Sequence, residues 1–97
     1  MNDVYRALGD PTRREILRLL RGGPLTAGEL GEHFEISAPA LSRHFSILKA
    51  ADLISSRKQA NFVYYELNLS VLEEALMGFI NLFQLEGSAR ENDNHTA

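Results

Sequence analysis

Apolar residues recur along the chain in two rhythms, and the change between them divides it. Up to residue 53 they return every three or four positions, as one face of an α-helix does. Val4 and Leu8, with Tyr5 between them, predict a short N-terminal helix ending near Gly9. Asp10 before Pro11 has the order of an N-cap and a first helical residue. Ile16, Leu17, Leu19 and Leu20 then make the stripe of a helix of about three turns that stops at Gly22, Gly23 and Pro24. Thr26-Ala-Gly-Glu29 is a capping box, opening a helix that carries Leu30 and Phe34. Only Glu35 and Ile36 separate it from Ser37, a further N-cap, with Pro39 tolerated in the first turn and Leu41, Phe45 and Leu48 at i, i+4 and i+7. Two helices joined by so tight a turn predict a helix-turn-helix.

After Leu53 the period falls to two. In residues 62–67, Val63, Tyr65 and Leu67 share one face and Phe62, Tyr64 and Glu66 the other, with the aromatic and β-branched enrichment of a strand. Ile54 to Lys58 can pair with it across a turn at Gln59, Ala60 and Asn61. A second capping box, Ser70-Val-Leu-Glu73, opens a final helix through about Glu86, closed by Gly87. The fold class is therefore mainly α with a two-stranded β-wing, a winged helix-turn-helix domain over residues 1–87, followed by a polar tail at 88–97 expected to be disordered.

That final helix is more apolar than a small core requires. Leu72, Leu76, Phe79, Ile80 and Phe83 fall on one stripe, and Val71, Ala75, Met77, Leu82 and Leu85 widen it. The surplus predicts a homodimer, with Val4, Tyr5 and Leu8 of the first helix packed beside the last.

Composition narrows the function. Ninety-seven residues make one domain. No apolar run approaches the ~18 residues of a membrane span, and no basic-then-apolar leader is present, so membrane insertion is excluded and a cytoplasmic protein expected. With no cysteine there is no thiolate metal site or thiol redox switch. The net charge of −3 is unevenly spread. Residues 1–24 set five arginines against Asp3, Asp10 and Glu15, and residues 37–61 set Arg43, Lys49, Arg57 and Lys58 against Asp52. Residues 25–36 and 62–97 are acidic. A positive middle beside an acidic final third suits a chain that meets a polyanion with one face only.

In such a fold the second helix of the helix-turn-helix enters the major groove of double-stranded DNA. With Leu41, Phe45 and Leu48 inside, its outward residues are Ala38, Pro39, Ala40, Ser42, Arg43, Ser46 and Ile47. Arg43 is the dominant donor, able to bond guanine O6 and N7 together for ~1–3 kcal/mol of discrimination. Ser42 can donate to a base or phosphate, and the small Ala38 and Ala40 can meet a thymine methyl. His44 has two readings, a phosphate contact or a partly buried structural histidine. Thr26 and Ser37, at helix N-termini, and Arg57, Lys58 and Gln59, near the wing tip, complete the DNA-binding set. Arg13 and Arg14 could add phosphate contacts or serve surface solubility. Catalytic residues, metal ligands and cofactors are expected to be absent: His33, His44 and His95 lack metal-site spacing, and adjacent Glu73 and Glu74 diverge on a helix.

Asp10-Pro-Thr-Arg-Arg-Glu-Ile-Leu17, Leu41-Ser-Arg-His-Phe45, Leu48-Lys-Ala-Ala-Asp-Leu-Ile54 and Tyr64-Tyr-Glu-Leu67 together resemble the ArsR/SmtB-type transcriptional repressors over about residues 3–86. The resemblance implies a homodimeric repressor on an inverted-repeat operator. Many members sense metals through thiolates on the first helix of the helix-turn-helix, or through His and carboxylates on the last. Residues 26–34 here have no Cys, and residues 70–86 no His or Asp. The chain is most similar to the cysteine-free, SdpR-like group of autorepressors, which implies control by a regulatory protein partner. Two alternatives stand beside this reading. One is a metal-responsive repressor built on His33, His44 or Glu side chains; the other is an interaction module that has lost DNA binding.

Overall fold

The computed structural model describes residues 2–83. Helix α1 spans Asn2–Leu8 and α2 Pro11–Leu20; strand β1, Leu25–Thr26, leads into α3, Ala27–Gly31, and α4 spans Ala38–Ala50. Strands β2, Ile54–Gln59, and β3, Phe62–Leu67, form the wing, and α5 runs over Leu69–Leu82. The expected end of the last helix at Glu86 and Gly87, Leu85 on its stripe, and the polar tail with His95 lie outside the described residues.

Local chemistry sets most boundaries. Asp10 caps α2 by accepting from the Arg13 backbone N–H at 3.1 Å, with Pro11 at the first position. Gly23, at φ 133°, makes the turn out of α2 that other residues resist. Ser37 caps α4 by accepting from Ala40 N–H at 3.2 Å. The other end of α4 closes with paired bonds from Leu53 N–H to Leu48 O and from Asp52 N–H to Lys49 O, Asp52 standing in the left-handed region at φ 59°. The wing turns at Ala60 and Asn61, with Ala60 at φ 56°.

The two-stranded wing gains a third strand, and two expectations are corrected. The sheet has three antiparallel strands in the order β1-β3-β2, because Leu25 and Thr26 pair with Tyr65 and Tyr64. Helix α3 stops at Gly31, so Phe34 packs on the core from the turn and not from the helix. The Ser70–Glu73 box does not open α5. That helix starts at Leu69 after Asn68, whose backbone N–H donates to Leu53 O at 2.9 Å and whose side-chain amide donates to Asp52 O at 2.8 Å. Tying residue 68 to the end of α4 starts the helix before Ser70 is reached.

One core joins all five helices, with α3 and α5 each giving it a single fully buried residue, Leu30 and Ala75. Val4 and Ala7 of α1, Ile16, Leu17 and Leu20 of α2, Leu30, then Leu41, Phe45 and Leu48 of α4 meet Leu53, Ile54 and Ala75. Phe45 stacks on Tyr65 with ring centroids 4.4 Å apart, fastening α4 to the sheet. Burial raises the Tyr65 pKa above the ordinary tyrosine value.

Candidate nucleic-acid interface

Helix α4 separates its faces as the spacing predicts. Leu41, Phe45 and Leu48 are buried, while Ala38, Pro39, Ser42, Arg43 and Ser46 are exposed, and Ala40 and Ile47 are half-buried. Arg43 is open to solvent and takes no part in the side-chain hydrogen bonds or ion pairs of the described residues. Its five donors face outward with no internal use. Beside it a shallow crevice lies between α3 and α4, lined by Gly28, Gly31, Ile36, Leu41 and Ser42 among others. A Cβ on Gly31 would stand 3.4 Å from Leu41 Cδ2, so the two helices of the motif approach closely there.

The cap residues are occupied by their own helices. Thr26 accepts from Glu29 N–H at 3.1 Å and its N–H donates to Glu29 Oε1 at 2.8 Å, which completes the reciprocal capping box. What Thr26 and Ser37 still offer is the hydroxyl proton, since the oxygen is the accepting atom in each cap.

His44 is half-buried, and its partner within the protomer is a side chain and not backbone. Its ring is turned inward and its Nδ1 lies 3.1 Å from Arg13 Nη1. A guanidinium only donates, so Nδ1 is the accepting atom of this contact. Arg13 also donates from Nε to Ala7 O at 2.9 Å and from Nη2 to Arg6 O at 3.0 Å, while Arg14 Nη1 donates to Leu8 O at 2.9 Å. These arginines satisfy the last carbonyls of α1, and Arg13 extends that cap to the reading helix. Asp10 closes the cluster, its Oδ2 3.9 Å from His44 Nδ1. Burial opposes ionisation of the Asp10 carboxyl, but the Arg13 backbone bond and the Arg13 guanidinium outweigh it and hold the pKa below the ordinary value.

In the wing, Arg57, Lys58 and Gln59 are all exposed. Arg57 is braced along the sheet, 5.2 Å above the Tyr64 ring, 3.6 Å from Glu66 Oε1 and donating to Gln59 Oε1. Lys58 is the freer cation. Lys49 Nζ donates to Ser56 Oγ at 3.0 Å and ties the end of α4 to the wing. The sequence signalled Lys49 only as one of the positive charges of residues 37–61, and gave no sign of the long reach of Arg13.

The residues expected at a dimer contact divide. Val4, 8% exposed, belongs to the core of its own protomer, and Leu72 packs against that core. Leu76, Phe79 and Phe83 are exposed, Ile80 and Leu8 half-buried. Tyr5 meets Phe79 edge to face with centroids 5.6 Å apart, and Phe79 lies 5.0 Å from Phe83. The first and last helices thus present one continuous apolar surface.

No group of three or more His, Cys, Asp or Glu that could hold an ion exists among the described residues, α3 offers Glu29 and α5 only Glu73 and Glu74. No described helix is long and apolar enough to cross a membrane.

A capped helix-turn-helix with one open arginine on its second helix, followed at once by a two-stranded wing, defines a winged helix-turn-helix regulatory domain. Residues 10–56 match the bacterial regulatory protein, arsR family, description. The chain is 49% identical over 81 residues to the transcriptional repressor SdpR of Bacillus subtilis, covering 84% of this chain and 90% of that protein. It is 38% identical to an arsenical resistance operon repressor of Staphylococcus aureus, covering 78% and 73% of the two chains. Among solved structures, an ArsR-like transcriptional regulator from Rhodococcus superposes with a TM-score of 0.75 at 27% identity, over 92% of this chain and 83% of that one. The chain belongs to the ArsR family, a family of transcriptional regulators and not of enzymes.

Proposed function

We propose that the chain is a cytoplasmic, sequence-specific transcriptional repressor that binds double-stranded DNA as a homodimer on an inverted-repeat operator. The observation that carries this reading is the outer face of α4, where Arg43 stands exposed among Ala38, Pro39, Ser42 and Ser46 with no internal partner among the described residues. An uncharged surround leaves one bidentate donor to read guanine, and the small side chains let the helix backbone approach the base edges. Lys58, Ser37 and Thr26 supply phosphate contacts around it. The apolar surface of Tyr5, Leu76, Phe79 and Phe83 supports the dimer, which sets two reading helices about one turn of DNA apart. The resemblance to SdpR-like autorepressors supports release by a regulatory protein or no release signal at all, and the chain has neither thiols nor, in residues 70–86, a His or Asp for the family's known metal sites.

Binding to the DNA upstream of its own gene, compared for wild type and Arg43→Ala on specific and scrambled duplexes at fixed salt, tests the reading. Wild type discriminates between the duplexes, and Arg43→Ala binds both alike. Wild-type affinity falls with salt with a slope of ~6–10 phosphates per dimer. A wild-type protein indifferent to sequence, there and in selection from random DNA, would instead mark a domain kept for its dimer surface alone.

A further inference from the structure

Apart from Ile36 in the helix-turn-helix, the large apolar side chains exposed outside α5 and its cap lie together at the tip of the wing: among the described residues, Phe62 is 58% and Val63 42% exposed. The pairing explains why. The sheet meets the core at Ile54, Tyr65 and Leu67, and the strands then continue outward to the Lys58–Val63 and Gln59–Phe62 pairs. At ~3.3 Å per residue those pairs stand well beyond the last core side chain. Nothing in the protomer requires an aromatic ring there, and water disfavours one.

The ring has defined neighbours. Residues paired across an antiparallel ladder project to the same side, as do alternate residues along a strand. Phe62 therefore shares a face with Gln59, Tyr64 and Arg57, while Lys58 and Val63 project from the opposite face. Cations thus flank the tip on both sides. The tip is also narrow: its turn is two residues long, with Ala60 held at φ 56°, and the strand backbones lie about 4.8 Å apart. Such an end can press into a minor groove, about 6 Å wide in an undistorted duplex, where insertion of an apolar side chain opens it.

We infer that Phe62 is a wedge that enters the minor groove beside each half-site and partly unstacks one base step, with Lys58 and Arg57 on the flanking phosphates. This rests on the DNA-binding reading above and adds to it a reading of DNA deformability. Apolar wedges kink a duplex at the cost of stacking, and the cost is least at pyrimidine–purine steps. A protein whose reading helix has one strong donor gains selectivity from flanks that it reads by stiffness.

The test uses the inverted repeat recovered by wild-type protein from random DNA, flanked either by a TA step or by a stiff A-tract, with 2-aminopurine beside the TA step. Wild type raises 2-aminopurine fluorescence and prefers the TA flank by on the order of tenfold. Phe62→Ala loses both effects while keeping its circular dichroism, its salt slope and its preference for the half-sites; Phe62→Leu retains part of each. Fluorescence that stays flat when wild type is bound, or a flank preference that survives in Phe62→Ala, overturns the wedge alone. Wild type that selects no sequence from random DNA overturns the repressor reading and the wedge with it.

Discussion

Helices α4 and α5 are nearly equal in length, 13 and 14 residues, and both carry leucine and phenylalanine at helical spacing, yet only α4 hides what it carries. Its three large core residues are at most 7% exposed. In α5 the residue at the bottom of the core is Ala75, and Leu69, Leu76, Met77, Phe79 and Leu82 are all more than 40% exposed. The same period thus serves two ends. Where polar residues fill the other positions, as with Ser42, Arg43 and Ser46, the stripe marks an interior. Where apolar residues occupy those positions as well, as with Leu69, Met77 and Leu82, it leaves a surface that no described residue of the protomer covers.

That contrast can be broken from either side. Leu48→Ala, at a fully buried site of α4, should cost about 2–5 kcal/mol in urea unfolding, a large part of a total stability of about 5–15 kcal/mol. A loss under 1 kcal/mol would mean that the α4 core is loosely packed. Phe79→Glu should leave the helical circular dichroism intact but sediment as a monomer. Its affinity for a two-half-site duplex should drop on the order of a hundredfold, with single half-site binding unchanged. An intact dimer of that variant would move the contact off α5.

The smaller effects concern what holds α4 against α1. Arg13→Ala removes the donor to Arg6 O, Ala7 O and His44 Nδ1 and should lower stability by about 1–3 kcal/mol, whereas Arg43→Ala, lacking internal partners, should leave the melting temperature where it was. Equal melting of the two variants would remove the structural role given to Arg13. The smallest effect is one of pH. The Asp10 pKa is lowered in the fold, so its contribution is present in full above the ordinary carboxylate value and is lost as pH falls through the lowered one. Asp10→Asn keeps a capping oxygen but does not titrate, so its urea midpoint should fall less steeply in acid than wild type's. Parallel acid limbs would show that Asp10 adds nothing to them.

Much of this molecule can be read from spacing and caps. Asp10-Pro11, the Thr26–Glu29 box and Ser37 all start helices where their chemistry places them, and the alternation of residues 62–67 is a strand. Two of the departures share a cause, which is that contacts distant in sequence decided what the local pattern could not. Two residues, Leu25 and Thr26, are too few to show a period, and they form a strand only because β3 lies beside them. Ser70 loses the start of α5 to Asn68, which is held by Asp52 and Leu53 sixteen and fifteen residues earlier. Arg43 is legible as an outward donor because a helix projects residues by simple rotation. Arg13, on the neighbouring helix, is indistinguishable from it in composition and differs only in having acceptors within reach, which the chain's pattern does not encode.

The junction at Asp52 and Leu53 has a mechanical meaning. Helix α4 ends in the Leu53-to-Leu48 bond and the wing begins at Ile54, with Lys49 clasping Ser56 and Asn68 clasping Asp52 across the same corner. No slack chain separates the part proposed to enter the major groove from the part proposed to enter the minor groove. On the DNA-binding reading the two are the jaws of a calliper whose opening is set by these contacts at the corner. A duplex that departs from that gauge must bend to meet it, and the energy of doing so is borne by the DNA.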